Sequence, residues 1–206
     1  MQANQPIMLA VLVSGNGSNL QAILDRIEVG DLNARIACVI SNAPDAFALI
    51  RAEKYGIPTI VHESRHFASR HEYDSVLVEI LKNHDVKLIV LAGFMRILTN
   101  VVIDAFPDRI INIHPALLPA FSGLNAQQQA LEYGVRFTGC TVHFVDHGTD
   151  TGPIILQAVV PVMQNDTVSQ LSQRIQHEEH KIFPQAIKLF VENKISIQGR
   201  RVLIED

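Results

Sequence analysis

The chain has 206 residues, of which 48% are hydrophobic and 18% charged, and a formal net charge of -4. That balance suits one globular domain with a substantial core and excludes a disordered chain. The acidic charge excludes a general nucleic-acid binder, which would carry a basic face, but leaves room for a local site on a small phosphorylated molecule.

Met8–Val13 is a continuous apolar run that reads as a first buried strand. No basic residue precedes it, and it is too short for a membrane span, so no leader or membrane segment is expected. The run ends in Ser14-Gly15-Asn16-Gly17-Ser18-Asn19, and a helix follows with Leu20, Ile23, Leu24 and Ile27 on its apolar face. A Gly-rich turn opening a helix aims backbone N–H groups at one spot, which fits a phosphate and fits a plain tight turn equally. The turn lacks the Gly-Lys-Ser/Thr of an ATP-type loop and the third Gly of a dinucleotide fingerprint. The second strand, Ile36–Ile40, ends in Ser41-Asn42 rather than in an acid for a ribose.

A helix is predicted over Ala46–Tyr55, closed by Gly56 and Pro58, and then a short strand over Thr59–Val61. His62–His71 reads as a solvated loop, with His62, His66 and His71 in solvent. Tyr73–Leu81 reads as an amphipathic helix that buries Val76, Leu77, Ile80 and Leu81. Leu88–Leu91 is a fully apolar strand followed by Ala92-Gly93-Phe94-Met95-Arg96-Ile97-Leu98. Strands alternating with helices imply a parallel, doubly wound sheet with ligands at the carboxyl ends of its strands. Met95, Ile97 and Leu98 are then either core or a rest for a flat aromatic ligand.

Arg109–Pro119, RIINIHPALLP, is the centre of the chain's chemistry. Ile110, Ile111 and Ile113 form a buried strand, and Pro115 ends it by removing a backbone donor. Asn112 and His114, two positions apart on an extended chain, share one face. An amide can donate to a developing oxyanion and an imidazole can carry a proton near neutral pH, although polar residues at strand ends are also common as turn formers. Asp150 lies in a Gly-, Thr- and Asp-rich loop between two strand-like runs, Thr138–Val145 and Ile154–Val162, which are expected to pair antiparallel. Its carboxylate could pair with His114 or hold a water for it. His143 and His147 flank that loop and read as structural or solvent-facing.

Ala126–Tyr133 is predicted helical and stopped by Gly134. The last long helix begins at Asp166-Thr167, with Gln170 completing a capping box and Leu171, Ile175, Ile182, Ile187 and Phe190 facing inward. Pro184 is a candidate kink. His177-Glu178-Glu179-His180 has no obvious third ligand, so no metal is expected. The tail Arg200-Arg201-Val202-Leu203 is expected to add one short edge strand. Cys38 and Cys140 fall far apart in apolar segments, so reduced, buried thiols and a cytoplasmic location are expected.

The stretches LAGFMRIL, INIHPALLPAF and GTDTGPIILQ together resemble the glycinamide ribonucleotide formyltransferases of purine synthesis, a folate-dependent formyltransferase family. The resemblance runs from VLVSGNGSNLQAI to the helix around HEEHKIFP. It implies a single-domain, Rossmann-like α/β fold over 1–206: a mostly parallel sheet with an antiparallel C-terminal edge and helices on both faces. A part over about 7–107 would bind the ribonucleotide phosphate, and a part over about 108–206 would carry the catalytic residues and much of the folate site. The implied reaction moves the formyl group of 10-formyltetrahydrofolate, a co-substrate, to the amine of glycinamide ribonucleotide, without a metal.

The resemblance makes Asn112, His114 and Asp150 the catalytic residues. Gly17, Ser18 and Asn19 fall on the phosphate, Arg70 on the phosphate as a second contact, and Glu179 near the amine. Leu91, Met95, Arg96, Ile97 and Leu98, with Asn112 and Asp150, fall on the folate. The implied partners are these two small molecules, with no nucleic acid and no membrane, on a monomer or homodimer. Ala116, Ser122 and Gln127 depart from the family's usual Ser, Lys and His, which touches peripheral substrate contacts rather than the chemistry. Two related enzyme types share the same Asn, His and Asp: methionyl-tRNA formyltransferases, with a further C-terminal domain, and formyltetrahydrofolate deformylases, with an extra N-terminal one. A catalytically silent sugar-phosphate binder would use the SGNGSN turn alone.

Overall fold

In the computed structural model, which describes residues 5–205, the elements run β1 (Ile7–Val13), α1 (Ser18–Glu28), β2 (Ala34–Ser41), α2 (Phe47–Lys54), β3 (Thr59–Val61), α3 (Arg70–Asn83), β4 (Leu88–Leu91), α4 (Asn100–Ala105), β5 (Ile110–His114), α5 (Ala126–Tyr133), β6 (Phe137–Phe144), β7 (Ile154–Pro161), α6 (Val168–Val191), β8 (Ile195–Gln198) and β9 (Arg201–Ile204). Residues 1–4 of the opening segment and residue 206 lie outside the described residues. Two compact units divide the chain between Ile111 and Asn112.

In the first unit the strands lie side by side as β3-β2-β1-β4, and every pair is parallel. Parallel strands are covered on both faces, which is why β1 and β4 are continuous apolar runs rather than alternating ones. Leu9 to Val13 and Leu88 to Val90 are fully buried. The helix predicted to start at Tyr73 begins earlier, at Arg70, because the Ser69 hydroxyl accepts from Glu72 N and caps it. Its buried face is Tyr73, Asp74, Leu77, Val78 and Leu81, while Val76 and Ile80 are only half-buried. His62 is also corrected: it is buried rather than solvated, its Nε2 donates to the Tyr73 carbonyl at 2.9 Å, and its ring stacks on Tyr73. Burial pushes the His62 pKa down and holds Tyr73 up at about 12.

In the second unit the order is β6-β7-β9-β8, with β6 and β7 antiparallel as expected. The tail forms the one expected strand, β9, but β8 lies outside it, so the edge is β8 rather than β9. Gly199, in the left-handed region at φ 61°, turns β8 back on β9, and β9 pairs parallel to β7. Helix α6 packs on β6 and β7 and buries Leu171, Ile175, Phe183, Ala186 and Ile187. Its capping box, Thr167 with Gln170, is formed, and Pro184 lies within the helix. No helix among the described residues is long and apolar enough to cross a membrane.

Both cysteines are buried and unpaired. Burial pushes the Cys38 thiol up to about 11, and burial together with the Glu179 and Glu178 carboxylates pushes Cys140 up to about 12. Because the thiolate is the reacting form, the native protein at about pH 8 is expected to leave both thiols unmodified by a disulfide reagent and to release both on unfolding. Fast labelling of native protein would contradict this packing.

Candidate active site

Strand β5 carries Asn112 and His114 on one face, as the period of two requires. His114 is 4% exposed. Its Nε2–H donates to the Phe121 carbonyl at 2.8 Å, and its Nδ1 faces Asp150 Oδ2 at 3.3 Å. Both ring nitrogens therefore look at oxygen acceptors, an arrangement that a doubly protonated imidazolium satisfies in full. Asp150 Oδ2 also accepts from Gly123 N at 2.7 Å. The structure thus brings the Asp150 carboxylate, remote along the chain, against His114 on the strand that also carries Asn112.

The Asp150 loop is shaped locally. Asp146 Oδ1 accepts from Gly148 N at 3.1 Å and from the Thr151 hydroxyl at 2.6 Å, closing an Asx turn. Asp150 itself takes the left-handed conformation at φ 55°, which an Asp tolerates better than most residues. A Cβ at Gly152 would lie 1.8 Å from the Phe144 carbonyl oxygen, so only Gly lets the loop return against the end of β6. These contacts aim the carboxylate at His114.

Of the two readings of His143, burial removes the solvent-facing one and leaves the structural one, in contact with this cluster. Its Nδ1–H donates to the Phe144 carbonyl at 2.8 Å, which leaves Nε2 as an acceptor for Asn112 Nδ2 at 3.1 Å. Burial pushes the His143 pKa down, which keeps that nitrogen neutral. The contact fixes the Asn112 amide: one Nδ2 hydrogen goes to His143, and the second is left to donate elsewhere. Strand β6 is buried at every position from Thr138 to Phe144, so it shows none of the alternation that would have marked His143 as facing Asn112.

In the first unit, Gly17 takes the left-handed conformation at φ 76° and caps α1 without a side-chain bond, and Ser18 and Asn19 open the helix. The first amides of a helix have no partner within it and carry the positive end of its dipole. Ser14 links this turn to the loop after β4. Its N–H donates to the Gly93 carbonyl at 3.1 Å, its hydroxyl donates to Asn42 Oδ1 at 2.5 Å, and the hydroxyl accepts from Met95 N at 2.8 Å. In that loop Met95 and Ile97 are 65% and 61% exposed, whereas Leu91 and Leu98 are buried. Arg96 lies over the Tyr73 ring, 4.2 Å from its centroid. Arg70 donates to the Ile97 carbonyl at 2.7 Å, which ties it to this loop. Glu179 is buried on α6 in the second unit, beside Cys140. Among the described residues no group of three or more His, Cys, Asp or Glu is placed to hold a metal ion.

Residues 7–187 match the family described as Formyl transferase. The phosphoribosylglycinamide formyltransferase of Haemophilus influenzae is 44% identical over 197 residues, which is 96% of this chain and 93% of that protein. The trifunctional purine biosynthetic protein adenosine-3 of Homo sapiens is 46% identical over 189 residues, or 92% of this chain. The match takes in only 19% of that protein, so the chain spans about a fifth of its length. Among solved structures, glycinamide ribonucleotide transformylase 1 from Symbiobacterium toebii superposes with a TM-score of 0.97 at 51% identity, covering 99% of this chain and 96% of that one.

Proposed function

The chain belongs to the formyl transferase family, and on that premise we propose that it moves the formyl group of 10-formyltetrahydrofolate to the amine of glycinamide ribonucleotide, in de novo purine synthesis. The products are formylglycinamide ribonucleotide and tetrahydrofolate. The observation that carries the reading is the cluster of Asn112, His114 and Asp150, with His143 holding the amide.

The substrate amine, as free base, attacks the formyl carbon, and the carbonyl oxygen becomes an oxyanion. Asn112 donates its second Nδ2 hydrogen to that oxygen. His114 supplies the other donor through Nε2–H, for which the oxyanion replaces the Phe121 carbonyl. Asp150 balances the imidazolium charge at Nδ1 and holds the water that takes the proton from the amine. That proton goes to the folate nitrogen as its bond to the formyl carbon breaks. None of these steps needs a metal, a nucleic acid or a membrane.

Gly17, Ser18 and Asn19 hold the ribonucleotide phosphate through the amides that open α1, and Glu179 takes the amine side. Arg70 was expected on the phosphate. Its bond to the Ile97 carbonyl supports a place on the folate side instead, with Met95, Arg96 and Ile97 and the backbone of Leu91 and Leu98. The buried free thiols suit a reducing, cytoplasmic setting. The test is the absorbance of tetrahydrofolate release with and without glycinamide ribonucleotide. Release that depends on the ribonucleotide is expected; equal release without it means a hydrolase, and release in neither case means a binding module.

A further inference from the structure

The Gly-rich turn is gripped from behind by α2, and one side chain makes most of the grip. Arg51 Nε donates to the Asn16 carbonyl at 2.9 Å, one Nη to Asn16 Oδ1 at 3.1 Å, and the other Nη to Gln21 Oε1 at 3.2 Å. Gln21 is itself fixed, donating to the Tyr55 hydroxyl at 2.9 Å and to Asp25 Oδ1 at 2.8 Å. The guanidinium lies 4.9 Å from the centroid of the Phe47 ring. One turn back on the same helix face, Ala48 N donates to the Gly15 carbonyl at 3.1 Å. A Cβ at Gly17 would come within 2.5 Å of Ala48 Cβ, so the turn and the helix are in direct contact.

The grip sets the polarity of the turn. In a trans peptide the C=O and the following N–H point in opposite directions. Drawing the Gly15 and Asn16 carbonyls toward α2 therefore turns the N–H groups of Asn16 and Gly17 away from it. The Gly15 carbonyl and both oxygens of Asn16, the carbonyl and Oδ1, are taken up by donors on α2. A planar fork with several fixed donors can hold a backbone and a side-chain oxygen of one residue together; an ammonium cannot hold that geometry.

We propose that Arg51 is a positioning residue for the ribonucleotide phosphate. It does not touch the anion; it orients the amides of the turn and sets a permanent positive charge behind them. The inference rests on the proposed phosphate role of Gly17, Ser18 and Asn19, and its test separates the two.

The experiment measures KM for each substrate and kcat on the full chain, with variants Arg51→Met, Arg51→Lys and Asn16→Ala, and with Ser18→Asp as a probe of the phosphate site itself. Loss of charge-assisted bonds of this kind predicts a rise of roughly tenfold or more in the ribonucleotide KM for Arg51→Met. The folate KM and kcat should move less than about twofold, since the binding lost is the same in the ground state and the transition state. Arg51→Lys, which keeps the charge without the fork, is expected between wild type and Arg51→Met, and Asn16→Ala gives the same split at smaller size if Arg51→Met does not fold. A ribonucleotide KM that rises for Ser18→Asp but stays at the wild-type value for the Arg51 variants overturns the inference and leaves the phosphate reading in place. A flat response to Ser18→Asp as well overturns both. Equal losses in both KM values and in kcat mark Arg51 as merely structural and also overturn the inference.

Discussion

Asn112→Ala is expected to lower kcat by roughly a hundredfold to a thousandfold, the cost of about 2.7–4 kcal/mol that follows removal of one oxyanion donor. The amide is not replaceable by water of equal quality, because its orientation is set by protein: His143 Nε2 accepts one Nδ2 hydrogen, and His143 is itself oriented by the Phe144 carbonyl. The other hydrogen is thereby aimed before the substrate arrives. Strand β5 keeps its buried Ile111 and Ile113 in the variant, so the protein should fold, with a loss of about 1–3 kcal/mol in stability from the orphaned His143 nitrogen. Asn112→Asp separates donation from shape. It fills the same volume but offers acceptors only, and it should fall at least as far as Asn112→Ala. Stopped-flow turnover with circular dichroism as a folding check would decide it. Near wild-type turnover in folded Asn112→Ala contradicts the assignment.

The second large effect is expected for Asp150→Asn, on the order of a hundredfold to ten-thousandfold in kcat. Asn accepts the left-handed backbone at φ 55° as readily as Asp does, and its amide oxygen can still receive Gly123 N, so the loop should survive. What disappears is the negative charge 3.3 Å from His114 Nδ1. With two N–H donors and a neutral partner, the imidazolium has lost the group that balances it during the reaction. Unchanged folding with unchanged kcat would mean that the carboxylate only shapes the loop. The two substitutions act on one oxyanion, so the double variant should lose less than the product of the single losses.

Much of this arrangement is legible in the chain because it rests on local rules. The isoleucines at 110, 111 and 113 announce a buried strand, and the spacing of Asn112 and His114 then decides that they share a face. The capping box at Thr167 and Gln170 and the stop at Gly134 are equally local. What escapes such a reading depends on contacts distant in sequence. The short helix Asn100–Ala105 is rich in β-branched residues and carries no side-chain cap, so nothing local marks it. His62 looks like part of a polar loop until Tyr73 covers it. His143 sits in a strand with no exposed face, where alternation has nothing to report. The parallel pairing of β9 with β7 skips β8, which no hairpin rule anticipates. Arg51 carries no local signal at all, and its role depends on α2 lying against the turn at Asn16. The elements and the shared face of Asn112 and His114 thus follow from pattern, whereas the residues that orient them follow only from packing.

The most direct measurement is a crystal structure with glycinamide ribonucleotide and a folate analogue whose carbonyl cannot be transferred. The account predicts the carbonyl oxygen at about 2.7–3.1 Å from both Asn112 Nδ2 and His114 Nε2, with the Phe121 carbonyl displaced from the imidazole. A carbonyl oxygen turned to solvent, with His114 still bonded to Phe121, would contradict it.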